Sequence, residues 1–238
     1  MSPFGYKPYV TQDELQFKAE KSLKKLKKKN PDIQPVTIEG REIAKTWWGK
    51  KWNGNLESYA DYSNRISRGR SYVKKNLVLD LTITKGKVMA LVQGSRTAPY
   101  EVIVQIDSLK TKSWEKVREQ CNNSIESMEQ LVEGKFPKEL EMLFTQQKFG
   151  LFPSPEEIHF GCSCPDWAYM CKHVAAVLYA IGARLDHDPM LFFELRDIDS
   201  KELVKRSMET RLENMLKNAG KKSSREIGDD DVFDIFGV

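Results

Sequence analysis

The chain has 238 residues, 40% of them hydrophobic and 30% charged, a balance that excludes wholesale disorder. Its longest apolar run, Val174–Ile181, is eight residues, far short of the ~20 that cross a bilayer; with no apolar leader in Met1–Thr11, neither a membrane protein nor a secreted disulfide scaffold is expected, and the cytoplasm is the expected location. The net charge of +4 hides an asymmetry, because residues 1–75 hold 17 Lys/Arg against eight Asp/Glu, a net +9 that leaves −5 for the other 163; a basic front of this kind attracts nucleic acid.

Thr11-x-x-Glu14 reads as a capping box opening a helix to about Lys29, ended by Asn30-Pro31. Leu15, Ala19, Ser22/Leu23 and Leu26 form its narrow apolar stripe, and lysines cover the rest. Residues 1–30 are thus expected to be a basic N-terminal helix. A solvated face is the plain reading and phosphate contact the sharper one.

Between residues 41 and 75, Trp47, Trp48, Trp52, Tyr59, Tyr62 and Tyr72 interleave with Lys45, Lys50, Lys51, Arg65, Arg68, Arg70, Lys74 and Lys75. Aromatic faces stack on unpaired bases while cations track the backbone. The competing reading is that the aromatics are core anchors; Trp47 and Trp48, being adjacent, cannot share a face, so one of them is expected inside. Lys45, Lys50, Lys51, Arg65, Arg68 and Arg70 are the expected phosphate contacts. Reversing the three arginines is expected to abolish binding and spare the fold.

The period then changes to two. Leu77, Leu79, Leu81 and Ile83 share one strand face, Lys85-Gly86 supplies a turn, and strands Val88–Gln93 and Tyr100–Asp107 follow. Residues 31–152 are therefore read as an α+β body on a three-stranded antiparallel meander with flanking helices. Arg96 sits in the break between two strands, a surface turn or a phosphate contact. From Ser113 the spacing becomes helical, with Trp114, Val117, Cys121, Ile125, Met128 and Leu131 on the apolar side, Gly134 as a stop and Pro137 restarting a helix through Phe144. Cys121 reads as a core thiol. Pro153 and Pro155 mark the expected boundary before a second module, residues 153–217.

That module carries the chemistry. Cys162, Cys164, Cys171 and His173 offer three sulfurs and one imidazole, the donor set of a structural zinc. Cys162 and Cys164, two apart at a strand end, pinch one ion. Cys171 and His173 would point ~200° apart on a regular helix, so Cys171 must sit at or before the helix cap with His173 in the first turn. Val174, Val177, Leu178 and Ile181 then pack the helix behind the metal. Four protein ligands close the site, so a catalytic metal is not expected. A Cys162–Cys164 redox pair leaves Cys171 and His173 unexplained. His159 and His187 read as strand-face and loop residues.

The run Cys162-x-Cys164-x6-Cys171-x-His173, with Pro-Asp-Trp after the pair and Lys-His-Val-Ala-Ala-Val-Leu after the third cysteine, resembles a SWIM zinc finger. The segments from Arg41, from Tyr59 and from Leu91 to Arg96 resemble the bacterial proteins in which this finger ends a larger body. The resemblance covers about residues 31–217. It implies a strand pair and a helix around one zinc, and DNA or protein binding with no defined reaction. SWIM fingers occur with Swi/Snf-type DNA-dependent ATPases, so a DNA-translocating partner is expected, with Lys172 among the residues that meet it or the nucleic acid.

Helices are expected from Asp188-Pro189 and from Ser200 to Leu216. Residues 218–238 read as a linker and an acidic-hydrophobic tail, a frayed end, a docking peptide or a nucleic-acid mimic. No phosphate-loop glycine motif occurs, and Asp80, Glu101 and Asp107 have no metal-holding spacing. The chain is accordingly expected to be a non-enzymatic zinc protein that binds nucleic acid, DNA before RNA. The alternative is a protein-interaction adaptor docking through the finger and the tail.

Overall fold

The capping box at Thr11 forms as expected: its hydroxyl accepts from the Glu14 N–H, and the Glu14 carboxylate accepts from the Thr11 N–H at 2.9 Å. The computed structural model describes residues 10–58, 63–120, 128–135, 137–147 and 149–218. Cys121, Ile125, Tyr59, Tyr62 and the acidic tail lie outside them. Helix α1 (Gln12–Lys29) buries Leu15, Ala19 and Ser22, and its lysine-rich end carries Lys27, Lys28 and Lys29.

Helices α2 (Trp47–Ser58) and α3 (Ser63–Lys74) follow. Of the adjacent tryptophans, Trp48 is wholly buried and Trp47 half-buried. Strands β1 (Val78–Thr84), β2 (Lys87–Val92) and β3 (Tyr100–Ile106) form the expected meander, turned at Gly86, whose φ of +65° suits a residue without a Cβ. A register shift between Val78 and Asp80 puts a bulge at the start of β1, so that Val78 is buried along with Leu79. Helices α4 (Thr111–Gln120), α5 (Met128–Glu133) and α6 (Lys138–Thr145) come next. Gly134, at φ +68°, ends α5, and Pro137 caps α6.

Among the described residues the sheet has four strands, in the order β1-β2-β3-β4 and antiparallel throughout, where the sequence predicted three. The extra strand, β4 (Ile158–Cys162), comes from the expected second module and pairs Ile158 with Ile106 and Cys162 with Val102. The expected strand pair inside the finger therefore does not form among the described residues. The physical reason is the open edge of β3: its backbone groups satisfy β4 directly, and a five-residue strand needs one partner, not a private hairpin.

Helix α7 (Lys172–Leu185) is buried on all sides from His173 to Ala183, which marks a helix enclosed by other elements. The sheet lies on one side of it, and α2 and α3 cross the other. At one crossing a Cβ on Gly69 would meet Ala175 at 2.5 Å, so glycine permits the close approach of α3 and α7. Helix α8 (Met190–Arg196) packs against β1, and α9 (Ser200–Asn218) leaves from Ser200. The opposite sheet face, with Thr82, Met89, Ile103 and Gln105, is open to solvent.

Candidate functional site

Strand β4 delivers Cys162, the loop after it delivers Cys164, and the first turn of α7 delivers the rest. Cys171 is the N-cap of α7 with extended backbone (φ −77°, ψ 170°), and His173 follows as the second helical residue. This resolves the ~200° conflict of a regular helix as expected, because the cap residue steps out of the helical path. The ligating atoms of Cys162, Cys164, Cys171 and His173 all lie within 4.8 Å of one another. His173 Nδ1 stands 3.9 Å from Cys162 Sγ and 3.8 Å from Cys171 Sγ. Tetrahedral zinc with ordinary bond lengths requires S···N spacings of about 3.6 Å, so the cluster has the right span.

The surroundings pull the three thiols in different directions. Backbone N–H groups of Cys164, Asp166 and Val174 donate to the sulfurs of Cys162, Cys164 and Cys171 respectively, and each bond lowers its thiol's pKa. The hydrogen bond between Cys162 and Cys171 is the largest influence on both, pulling Cys171 well below the ordinary thiol range and pushing Cys162 far above it. Burial is the main reason that Cys164 is raised. Three sulfurs this close cannot all ionise alone, and a divalent cation removes the conflict. The residues present fit zinc.

Two tyrosines set the imidazole. Tyr100 lies 4.5 Å from the His173 ring centre and Tyr72 meets it edge-on at 5.5 Å. Nε2 faces Gly94, where a Cβ would stand 2.9 Å from it. The same stack carries two cations outward: Lys172 Nζ sits 5.2 Å over the Tyr72 ring, and the Arg96 guanidinium 5.1 Å over Tyr100. Arg96 also donates to the Ser163 carbonyl at 3.4 Å. Gln93, fully buried, donates to the carbonyls of Gly94 and Arg96 and shapes the turn that presents Arg96.

A scan of family models matches residues 161–182 to the SWIM zinc finger. The chain carries a SWIM zinc finger. Its four predicted ligands are the four that the fold brings together, consistent with one structural zinc. The chain is also 34% identical over 183 residues to "Uncharacterized protein Rv2102" of Mycobacterium tuberculosis (strain ATCC 25618 / H37Rv), covering 73% of this chain and 66% of that relative. No solved structure matches. Among the described residues, no helix is long and apolar enough to cross a membrane.

Apart from Arg70, which meets Tyr179 midway along the helix, the predicted phosphate contacts divide into two groups at opposite ends of α7, which at 14 residues is about 20 Å long. At the C-terminal end, Asp186 accepts from the backbone of Lys45 and Thr46, beside a cavity of about 380 Å³ lined in part by Val36, Ile38 and Arg184. Here Lys50 pairs with Glu42 at 3.5 Å, and Lys51 with Glu141 at 3.8 Å. Around the finger stand Arg65, Arg68, Arg96 and Lys172. Arg65 is tied to Asp166 of the ligand loop at 3.1 Å, and Arg70 to Glu57 and Tyr179. Arg68, Arg96 and Lys172 have no carboxylate partner among the described residues.

Reversing Arg65 and Arg70 would thus break tethers within the fold, contrary to the expectation that all three arginines can be reversed safely. The aromatics of residues 41–75 also differ from the stacking reading. Trp48 sits among Phe144, Phe152, Phe192 and Phe193, and its indole donates to the Leu131 carbonyl at 2.9 Å. Trp52 is buried and donates to the Leu178 carbonyl at 2.8 Å. Those rings are core anchors because an indole buried with its N–H bonded loses nothing to water. His159 lies on the open strand face beside Asp107, and His187 in the turn after α7, as expected.

Sequence reasoning missed Tyr72, Tyr100 and Gly94 as the walls of the His173 pocket. It also missed the Arg65–Asp166 tether. These partners lie 73 to 101 residues from the residues they touch, and no local pattern announces such contacts.

Proposed function

We infer that the protein is a non-enzymatic, zinc-ordered binder of nucleic acid. The observation that carries this reading is the finger's rim: Arg68, Arg96 and Lys172 are cations without carboxylate partners among the described residues, and two of them are held on aromatic rings that also hold His173. Guanidinium and ammonium groups fixed in this way are ready for phosphates without first breaking an ion pair. The Lys45–Lys51 group is too far along α7 to share a short ligand with the rim. A DNA-translocating ATPase of the Swi/Snf type is the partner implied by the company SWIM fingers keep, and DNA is then the favoured ligand.

The test is a titration of labelled oligonucleotides at several salt concentrations. Wild-type affinity should fall as salt rises, and the triple variant Arg68→Glu, Arg96→Glu, Lys172→Glu should bind at least ten times more weakly. Its salt slope should be shallower by about 2, from ~0.7 per single-strand phosphate contact. Equal binding by the variant and the wild type would move the interface elsewhere.

The adaptor reading is favoured by a different feature. Helix α9 exposes Met208, Leu212, Met215 and Leu216 to between 55% and 67%, an apolar stripe that solvent alone does not explain. Truncation after Ile198 should then lose a protein partner and leave oligonucleotide binding unchanged.

A further inference from the structure

The most exposed large apolar side chain among the described residues is Trp167, at 93%. It lies in the loop between Cys164 and Cys171, and that loop is tied down on both sides of it. Asp166, immediately before, takes the Arg65 guanidinium at 3.1 Å and the Ala168 N–H at 3.2 Å. Tyr169, two residues after, donates its hydroxyl to the Ile158 carbonyl at 3.2 Å and rests against Phe160 with ring centres 5.1 Å apart. The two cysteine ligands hold the ends. The backbone on either side of Trp167 is thus fixed while the indole itself stands in water.

An indole can bury more than about 150 Å² and normally does so. The other described tryptophans follow that rule: Trp48 and Trp52 are buried, and Trp47 and Trp114 are half-buried. A tethered loop that keeps the one exception outside presents it to something.

The charge beside it says what. Arg68 stands on α3 three residues after Arg65, hence one turn along the same face. Four residues further is Tyr72, under the Lys172 ammonium. Arg96 borders the start of the loop through the Ser163 carbonyl. Asp166, the carboxylate within the loop, is already engaged by Arg65. A flat aromatic plate on a rigid loop with free cations around it fits a base and its flanking phosphates. In a duplex the base faces are hidden in the stack, so only an unpaired base offers its face to the ring.

We propose that Trp167 is a stacking platform for an unpaired base, and that the finger therefore binds single-stranded nucleic acid in preference to duplex. This rests on the nucleic-acid reading above and names its ligand class. The cations bind the backbone of either form, and the indole supplies the preference.

The experiment uses the full-length, zinc-loaded protein with labelled oligothymidine of about 15 nucleotides and a duplex of equal length. Wild type should bind the single strand at least ten times more tightly. Trp167→Ala should weaken single-strand binding by about 5- to 150-fold, with the salt slope unchanged and duplex binding unaffected. Trp167→Phe should recover most of the loss, since a phenyl ring still stacks. Unchanged zinc content and melting temperature will show that the alanine variant is intact. If Trp167→Ala binds the single strand as wild type does, and salt still weakens that binding, the platform is refuted while the nucleic-acid reading stands. If wild type binds neither form at low salt, both fail, and the tryptophan belongs to a protein contact.

Discussion

At Gly94 an added methyl group would stand 2.4 Å from Tyr100 Cε2 and 2.9 Å from His173 Nε2. Tyr100 and His173 are each 3% exposed, so neither ring has room to retreat and the imidazole must turn from the sulfurs. Gly94→Ala should therefore weaken zinc binding by ten-fold or more in competition with a chromophoric chelator. Gly54 has nothing within 4 Å of a Cβ, so Gly54→Ala is the control: zinc affinity stays, and α2 gains about 0.5–1 kcal/mol from lower backbone entropy in the unfolded chain. His173→Ala should abolish stoichiometric zinc, measured by elemental analysis of the purified protein. At this scale the ligands themselves were legible, because Cys162, Cys164, Cys171 and His173 combine a rare donor set with tight spacing. The walls around them were not. Gly94 lies in the break between β2 and β3, and the rings that require a glycine there stand on β3 and α7, out of reach of any local signal.

Among the elements, two buried polar groups join segments that sequence spacing kept apart. Arg196 at the end of α8 is wholly buried, donating to the carbonyls of Leu151 and Asp107 and to the Glu157 carboxylate at 3.1 Å. It thereby fastens the residues that lead into β4, and so the approach to Cys162. Arg196→Ala should cost about 3–5 kcal/mol in urea unfolding, because the Glu157 charge is left buried without its cation, held only by Ser154. Adding Glu157→Gln should recover part of that loss, which a simple cavity would not allow. Tyr179 on α7 donates to Glu57 of α2 at 2.6 Å and accepts from Arg70 of α3 at 3.0 Å. Burial is the first cause raising its pKa, to about 12. The folded chain therefore keeps a proton that the unfolded chain releases near pH 10. Its contribution is complete below about pH 10 and is lost as pH rises towards 12, roughly 2–3 kcal/mol in all. Denaturation curves at pH 9 and pH 12 should show a smaller drop for Tyr179→Phe than for wild type.

Across the whole molecule the sheet and α7 form one core, and the zinc sits at its edge. Only the cap Cys171 and His173 of α7 belong to the site, and the helix from Val174 to Ala183 is buried without help from the metal. Chelation should thus lower the melting temperature and expose the Cys164–Met170 loop to protease while leaving the far-ultraviolet circular dichroism nearly unchanged. Small isolated zinc fingers behave otherwise, unfolding without their metal. The strands and α1 were legible because alternation and a capping box are local signals. The place of β4 was not: Ile158–Cys162 is a short strand, and its partner β3 ends 52 residues earlier. Helices α2 and α3 were hidden differently, since their many aromatics and cations invite a surface reading, although Trp48 and Trp52 stand four apart as a buried helical face requires.

If zinc orders the loop whose rim binds nucleic acid, metal and binding must be lost together. The most direct measurement is single-strand affinity at low and moderate salt, before and after chelation of the same protein sample. Binding should weaken steeply with salt, be largely lost on chelation and return when zinc is restored. Salt-dependent binding that chelation leaves untouched would remove the finger from the interface, and no binding by the zinc-loaded protein would rule out nucleic acid as the ligand.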